Sequence, residues 1–465
     1  MLIGIDLGTS FIKGAVLDPD GLSLRHIQRL PFPAPLPGPS RLYWEYDPEA
    51  ILSAVRRLLA QLLPLAEVCE GVVMCSQMHG LVFTTQRGEA RSNFATWQDQ
   101  RALEPHPSGQ GTYLEVLQQR LTPNEVRQLG NDVRPGLPIC QCFWLAEQGR
   151  LPEKGIVPAA LPDFVVANLC GAPVTTELTN AMSHGLLNME TLDWHHEVMA
   201  RLGLNELGWP AIRAYGEVAG WLPGGTRQVL CYTPVGDAQC ALVGALLQEG
   251  ELSLNISTGS QISLLKPQLE FGDFTTRPFF DHRYLATITH IPAGHALALL
   301  VKLFSELAEA QGLKLADPWP YISQAAARAG QTQVRANIAF FYSACGDQGE
   351  FTHLREEELT VGHIFRAAFQ NMADNYQACA LRLSPDQAWQ GLVFSGGLVQ
   401  KMDVLRALIC DRFQVGYRLS PSAEDTLLGL LALALAFTGR AGSVAQAITI
   451  LRESYQENPD PGLPG

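Results

Sequence analysis

Charge is scarce in this chain. Only 17% of its 465 residues are Asp, Glu, Lys or Arg, against roughly a quarter in an average soluble domain. Basic residues are scarcer still, 33 against 46 acidic ones, which gives a formal net charge of −13. No long basic run is present to follow a phosphodiester backbone, so nucleic acid is not an expected partner. Any anionic ligand has to be met by local groups, backbone amides or a metal. The ten cysteines form no CxxC pair, only Cys140 and Cys142 in a lone CxC, which argues against a thiolate metal centre and for free thiols in a reducing compartment. The opening MLIGIDLG has no basic segment ahead of its apolar residues and carries Asp6 among them. It does not read as a secretion signal, and a cytoplasmic location is expected. The longest apolar run, Thr426 to Thr438, is too short for a bilayer and reads as a buried helix, so no membrane partner is expected. The spacings GxxxxGK(S/T) and HExxH are absent as well, and His195-His196 is expected at the surface.

What the chain does have is apolar material, 47% of it, enough for sizeable cores and too much for disorder. Its length exceeds one ordinary core, and two large domains are the simplest division. Residues 2–18 read as a strand, a Gly8-Thr9-Ser10 turn and a second strand. Residues 251–265 repeat that grammar around Ser257-Thr258-Gly259-Ser260. Between and after them, strand patterns (Gly71 to Cys75, Gly391 to Phe394) alternate with helical ones (Ile51 to Leu65, Asp403 to Phe413), which places the chain in the α/β class. Gly, Pro and Thr cluster near Pro223 to Pro234. The division expected is therefore 1–232, 233–456 and a frayed, proline-rich tail 457–465.

Several polar clusters could carry chemistry. A hairpin turn of small residues exposes N–H groups that can surround phosphate oxygens, and Thr9 and Ser10 add hydroxyl donors. Asp6, at the end of the preceding strand, could hold Mg²⁺ through water, or could be an ordinary turn residue. A second such turn at 257–260 favours the phosphate reading, because two loops can clamp one polyphosphate. Asp237, in Gly236-Asp237-Ala238 ahead of an apolar helical run, is either an N-cap or a general base for a substrate hydroxyl. Ser76-Gln77-Met78-His79-Gly80 and Thr96-Trp97-Gln98-Asp99-Gln100-Arg101 offer paired donors and acceptors beside Met and Trp surfaces, as a polyhydroxylated ligand needs. Gly396-Gly397, after a strand, would let a flat ring approach the backbone, or would simply make a tight turn.

Taken together and in order, IDLGTSFIKGAVLD, SQMHGLVF, TWQDQR, DFVVANLCG, TELTNAMSHGLLNMETLDW, PVGDAQCALVG, LNISTGSQ and VFSGGLVQ resemble the FGGY carbohydrate kinases, closest to their heptulose kinase branch, with xylulose kinases nearby. The resemblance implies two ribonuclease-H-like domains of the actin-like ATPase superfold closing over a cleft, with ATP and Mg²⁺ between them and a sugar held mainly by the first. It implies Asp237 as catalytic base and Asp6 as the Mg²⁺-associated carboxylate. It assigns Gly8, Thr9, Ser10, Thr258, Gly259 and Ser260 to the phosphates, and Gly396 and Gly397 to adenosine. Gln77, Met78 and His79 become sugar contacts, with Trp97, Asp99 and Arg101 beside them. The implied reaction is phosphorylation of a ketose, sedoheptulose first and a pentulose such as xylulose second. A catalytically silent sugar or nucleotide sensor on the same fold is the competing reading.

The chain departs from the family pattern in three places. Gln141 stands three residues before Trp144, where the family usually has lysine. FYSACGDQGEFTHL fits loosely, and HIPAGHALALL keeps only Gly294 of a Gly-rich stretch.

Overall fold

The computed structural model describes residues 1–223, 228–313 and 316–457, with the side chains of 456 and 457 excepted. Residues 224–227, inside the expected boundary, and nearly all of the expected tail, 458–465, lie outside the described residues.

Both hairpins form as the sequence suggests, and each seeds a sheet. In the first, β1 (Leu2–Leu7) pairs antiparallel with β2 (Phe11–Asp18), and β2 with β3 (Ser23–Pro31). On its other side β1 runs parallel to β4 (Gly71–Ser76). Beyond β4 lie β5 (Val218–Leu222) and β6 (Val229–Tyr232), and β7 (Val235–Gly236) pairs with the end of β4. The second sheet repeats the plan: β8 (Glu251–Ile256) and β9 (Ser260–Lys266) form the hairpin, followed by β10 (Thr275–Pro278) and β11 (Tyr284–Ile291). β12 (Gly391–Ser395) runs parallel to β8, and β13 (Gly416–Leu419) runs parallel to β12.

Helices cover these sheets because their apolar residues recur at helical spacing. α1 (Pro48–Leu62) begins on Pro at N1, is capped by the Asp47 carboxylate, and buries Ile51, Val55, Leu58 and Leu62 against the first sheet. α2 (Leu161–Cys170) lies in the same core and ends on Gly171 in the left-handed region. The short α3 (Leu178–Ser183) precedes β7. α4 (Asp237–Gly244) leads from the first sheet to the second. The second sheet carries α5 (Gly294–Ala310), α6 (Val361–Leu383) and α7 (Asp403–Phe413) in one core. The long apolar run is α8 (Asp425–Phe437), followed by α9 (Val444–Glu457).

α4 and α8 belong to neither sheet alone. Their apolar residues share a core with Leu2, Leu17 and Val73 of the first sheet and with Leu265, Leu285 and Val393 of the second. The two helices cross backbone to backbone. A Cβ at Gly244 would run into the Asp425 carbonyl, and one at Gly429 into the Cys240 carbonyl. Only glycine permits that approach. The surface expectation for His195-His196 is half corrected. His196 is exposed, but His195 is buried and its Nε2 meets the Gln128 side-chain oxygen at 3.1 Å, because the preceding Trp194 anchors the segment in the core.

Gly429→Ala should therefore lower stability by about 1–3 kcal/mol, the usual cost of forcing extra volume into a packed core. The thermal midpoint reads it, with Gly416→Ala as control, since a Cβ there meets nothing within 4 Å. Equal midpoints for the two variants would contradict the tight crossing.

Candidate active site

Three parallel strands end side by side at the edge of the first sheet. Asp6 sits next to last in β1, Gln77 to Gly80 follow β4, and Asp237 follows β7. Strand ends of a parallel sheet are natural ligand sites, because the chain there turns away and leaves side chains free. The β7 end is fixed from α3: Thr179 Oγ1 accepts from the Gly236 N–H at 2.8 Å, and the Asn180 side-chain amide donates to the Pro234 carbonyl at 2.8 Å. Met78 packs against Gly236 closely enough that a Cβ there would lie 2.9 Å from its sulfur.

Asp6 is 4% exposed, and its Oδ2 accepts from Thr426 Oγ1 at 2.7 Å. Lys13, its register partner on β2, lies 3.9 Å away and is itself paired with Glu424 at 3.0 Å. Asp6 Oδ1 is buried without a hydrogen-bond partner. Burial raises the Asp6 pKa against the opposing Thr426 bond and Lys13 charge. Asp237 is half-buried and is the first residue of α4, with Gly236 in the cap position and no capping side-chain hydrogen bond, so the N-cap alternative does not hold. Burial first, then the Asp6 carboxylate, raises its pKa from 3.8 to about 7. A carboxyl that changes charge near neutrality can accept a proton in water at working pH.

The polar loops reach the same edge. Gln77 spans the first turn, its amide donating to the Gly8 carbonyl at 3.4 Å and its oxygen lying 3.5 Å from Thr9 Oγ1. Trp97, 43% exposed, donates its indole N–H to Thr9 Oγ1 at 3.1 Å, which links the second polar loop to the first turn. His79 has φ +66° and is fixed at both nitrogens: Nδ1 lies 3.0 Å from the Ser183 carbonyl, and Nε2 accepts from Arg134 at 2.8 Å. Burial, reinforced by the Arg134 charge, holds its pKa down at about 3, so the ring is neutral. Asp99 and Arg101 face inward instead. They pair with each other at 2.7 Å, Asp99 accepts from the Trp44 N–H at 3.0 Å, and Arg101 also bonds Glu45. Gln141, the departure from the family lysine, is buried and donates to the Thr96 carbonyl at 3.4 Å.

At the second sheet, Thr258 and Gly259 are exposed at the β8–β9 turn, while Ser260 is turned inward, its hydroxyl bonded to the Ile291 carbonyl and to Tyr376, each at 2.9 Å. Gly294 opens α5 so close to this turn that a Cβ would lie 2.5 Å from the Ser257 carbonyl oxygen. Gly396 follows β12 at φ +91°, with no room for a Cβ beside the Ile256 carbonyl at 2.6 Å, and the exposed Gly397 donates its N–H to Ser257 Oγ at 3.2 Å.

The family description "FGGY family of carbohydrate kinases, N-terminal domain" matches residues 1–244, more than half of the chain. The chain belongs to the FGGY carbohydrate kinases. Human sedoheptulokinase is 26% identical over 87% of this chain and 91% of its own length. The xylulose kinase of Bacillus subtilis is 25% identical over 65% of this chain and 62% of its own. Among solved structures, the ligand-bound xylulose kinase of Lactobacillus acidophilus superposes with a TM-score of 0.83 at 18% identity, covering 98% of this chain and 95% of that one. Plasmodium falciparum glycerol kinase with ADP gives 0.82 at 17% identity, covering 97% and 92%. The fold of this FGGY kinase is therefore the two-domain, actin-like α/β architecture. Among the described residues, no helix is long and apolar enough to cross a membrane.

Residue-type patterns alone missed Thr426, Thr179 and Asn180, although the last two lie in a family motif, and missed the ion cluster Asp132, Arg134 and Arg277. Arg134 Nε ion-pairs Asp132 at 2.7 Å, and Arg277 Nη2 reaches the other Asp132 oxygen at 3.3 Å. The two arginines are separated by 143 residues (277 minus 134) and share no short motif that would mark them.

The carboxyl of Asp237 carries a stability signature. Its folded pKa lies above its unfolded one, so the fold loses stability as pH rises from about 4 through about 7. Asp237→Asn should match the wild-type thermal midpoint at pH 4 and exceed it at pH 8. A midpoint difference that does not grow with pH would show that burial and the Asp6 carboxylate do not raise the Asp237 pKa in the fold.

Proposed function

We propose that this carbohydrate kinase transfers the γ-phosphoryl group of ATP to a terminal hydroxyl of a ketose, with sedoheptulose the first candidate and xylulose or another pentulose the second. The near-full-length match to sedoheptulokinase supports that order. One observation carries the reaction type: the Asp237 carboxyl opens α4 where β1, β4 and β7 end side by side, next to the Asp6 carboxylate, and burial with the Asp6 charge raises its pKa toward neutrality. Asp237 takes the hydroxyl proton as the acceptor oxygen bonds the γ-phosphorus and the bond to the ADP oxygen breaks. The N–H groups of the Gly8-Thr9-Ser10 and Thr258-Gly259 turns meet the phosphate oxygens, and the Ser260 hydroxyl braces the second turn from behind.

Among the described residues, no three His, Cys, Asp or Glu side chains cluster into a metal cage. An unpartnered, buried Asp6 Oδ1 near Asp237 instead fits Mg²⁺, which is commonly held by one or two carboxylates together with substrate phosphates. A Mg²⁺ ion bound there supplies charge neutralisation on the phosphates. Gly396 and Gly397 admit the adenosine. Gln77, Met78, His79 and Trp97 form the sugar side, with Asp99 and Arg101 holding the Trp97 loop in place from the interior.

Three measurements test this. A coupled assay of ADP release over sedoheptulose, xylulose and ribulose should show sugar-dependent turnover, and binding without turnover would make the chain a sensor instead. Asp237→Asn should cut kcat by about 10²–10⁴-fold while ATP binding persists, the range for losing a general base. The acidic limb of wild-type kcat/KM should titrate near pH 7. Full activity in Asp237→Asn would remove Asp237 from this role.

A further inference from the structure

Thr426 touches the elements that bear both carboxylates. It stands in the first turn of α8, 420 residues from Asp6, and its hydroxyl donates to Asp6 Oδ2 at 2.7 Å. Its carbonyl accepts from the Cys240 thiol at 3.2 Å, and Cys240 lies one turn beyond Asp237 in α4. One residue of α8 therefore meets the Asp6 side chain on one side and the helix opened by Asp237 on the other.

The residues around it are committed elsewhere. Glu424 ion-pairs Lys13 at 3.0 Å and pairs with Arg29 as well. The Asp425 carboxylate accepts from the Ser420 hydroxyl, and the Asp425 carbonyl is pressed against Gly244. Lys13 lies 3.9 Å from Asp6, beyond hydrogen-bond length, so it supplies charge without fixing the rotation of the carboxylate. The Cys75 thiol, beside Asp6 on β4, is a weak donor. The strong, short bond to Asp6 is the one from Thr426.

That bond distinguishes two otherwise equivalent oxygens. Oδ2 is engaged, while Oδ1 is buried and has no hydrogen-bond partner among the described residues. An unpaired buried oxygen of a carboxylate is costly unless a ligand meets it. Groups that hold a ligating carboxylate from behind set its orientation toward the metal.

On the kinase reading of this site, we propose that Thr426 is a positioning residue for the Mg²⁺–nucleotide. By donating to Asp6 Oδ2 it holds the carboxylate with Oδ1 left for the cation. By accepting from Cys240 it ties that carboxylate to the helix of the base. The hydroxyl is the active part of the side chain, since valine would fill the same space without donating.

The test is calorimetry of ADP binding with Mg²⁺ present and with the metal chelated, a readout that needs no turnover. Thr426→Val should weaken Mg²⁺–ADP binding by about 10–100-fold, the range for losing a group that supports a metal ligand, and leave metal-free ADP binding unmoved. Thr426→Ser should recover most of the loss. With Asp6→Ala in place, Thr426→Val should cost nothing further, because no carboxylate remains to be oriented. In the ADP-release assay Thr426→Val should lower kcat and leave the sugar KM unchanged. If Thr426→Val does not fold, Thr426→Ala carries the same expectations. Equal weakening of both forms of ADP, or the same loss on top of Asp6→Ala, would make Thr426 a packing residue only and would leave the kinase reading standing. If the wild type turns over no sugar yet prefers Mg²⁺–ADP to ADP, and Thr426→Val abolishes that preference, the positioning role stands and the kinase reading falls. A wild type with neither turnover nor metal preference overturns both.

Discussion

Two helices touch at their backbones beneath the candidate site. α4 and α8 meet through Gly244 and Gly429 between the two sheets, and both begin at the reactive edge. α4 begins with Asp237, and α8 brings Thr426 onto Asp6. A side chain at either glycine would push the helices apart and would shift Asp237 at the start of α4 and Thr426 at the start of α8. The sheet register sets Asp6 and Asp237 side by side across the end of β4, and the packing of the interior fixes Thr426 beside Asp6, because close-packed helices have no slack to absorb a shift.

That enforced proximity has an electrostatic consequence. Two carboxylates share a desolvated edge, and neither is neutralised by a full ion pair. Lys13 stands 3.9 Å from Asp6 and is divided with Glu424, and Asp6 Oδ1 has no protein partner. Such a pair costs the folded state free energy at neutral pH. It also keeps one carboxyl near its own titration point and leaves the other open to a cation. A protein optimised for stability alone would have closed this edge with a lysine or an amide.

A second charged cluster lies on the far side of His79. There one Asp132 stands between two guanidiniums, and the cluster is pinned by hydrogen bonds that join the first half of the chain to the second. A carboxylate pair and an arginine–aspartate cluster therefore flank the segment of Met78 and His79. The charge pattern along the site is set by contributions from both sheets, although the whole chain is simply acidic.

The sequence by itself determined the two hairpins, the α/β alternation, the buried helix from 425 to 437 and the identity of the turn residues, since all of these rest on local apolar period and on small residues that adopt tight turns. It also contained Asp6 and Asp237, but could not separate a base from a helix cap, because both want an acid at a helix start. Asp99 and Arg101 looked like ligands because paired donors and acceptors beside a Trp suit a polyhydroxylated sugar, and the fold spends them on each other and on Trp44. Tertiary structure alone decided which polar groups meet. Thr426 reaches Asp6 across 420 residues, and Arg277 reaches Asp132 across 145. Burial and the charge of a distant neighbour set the protonation of Asp237 and His79, and neither quantity is written in a local stretch of chain.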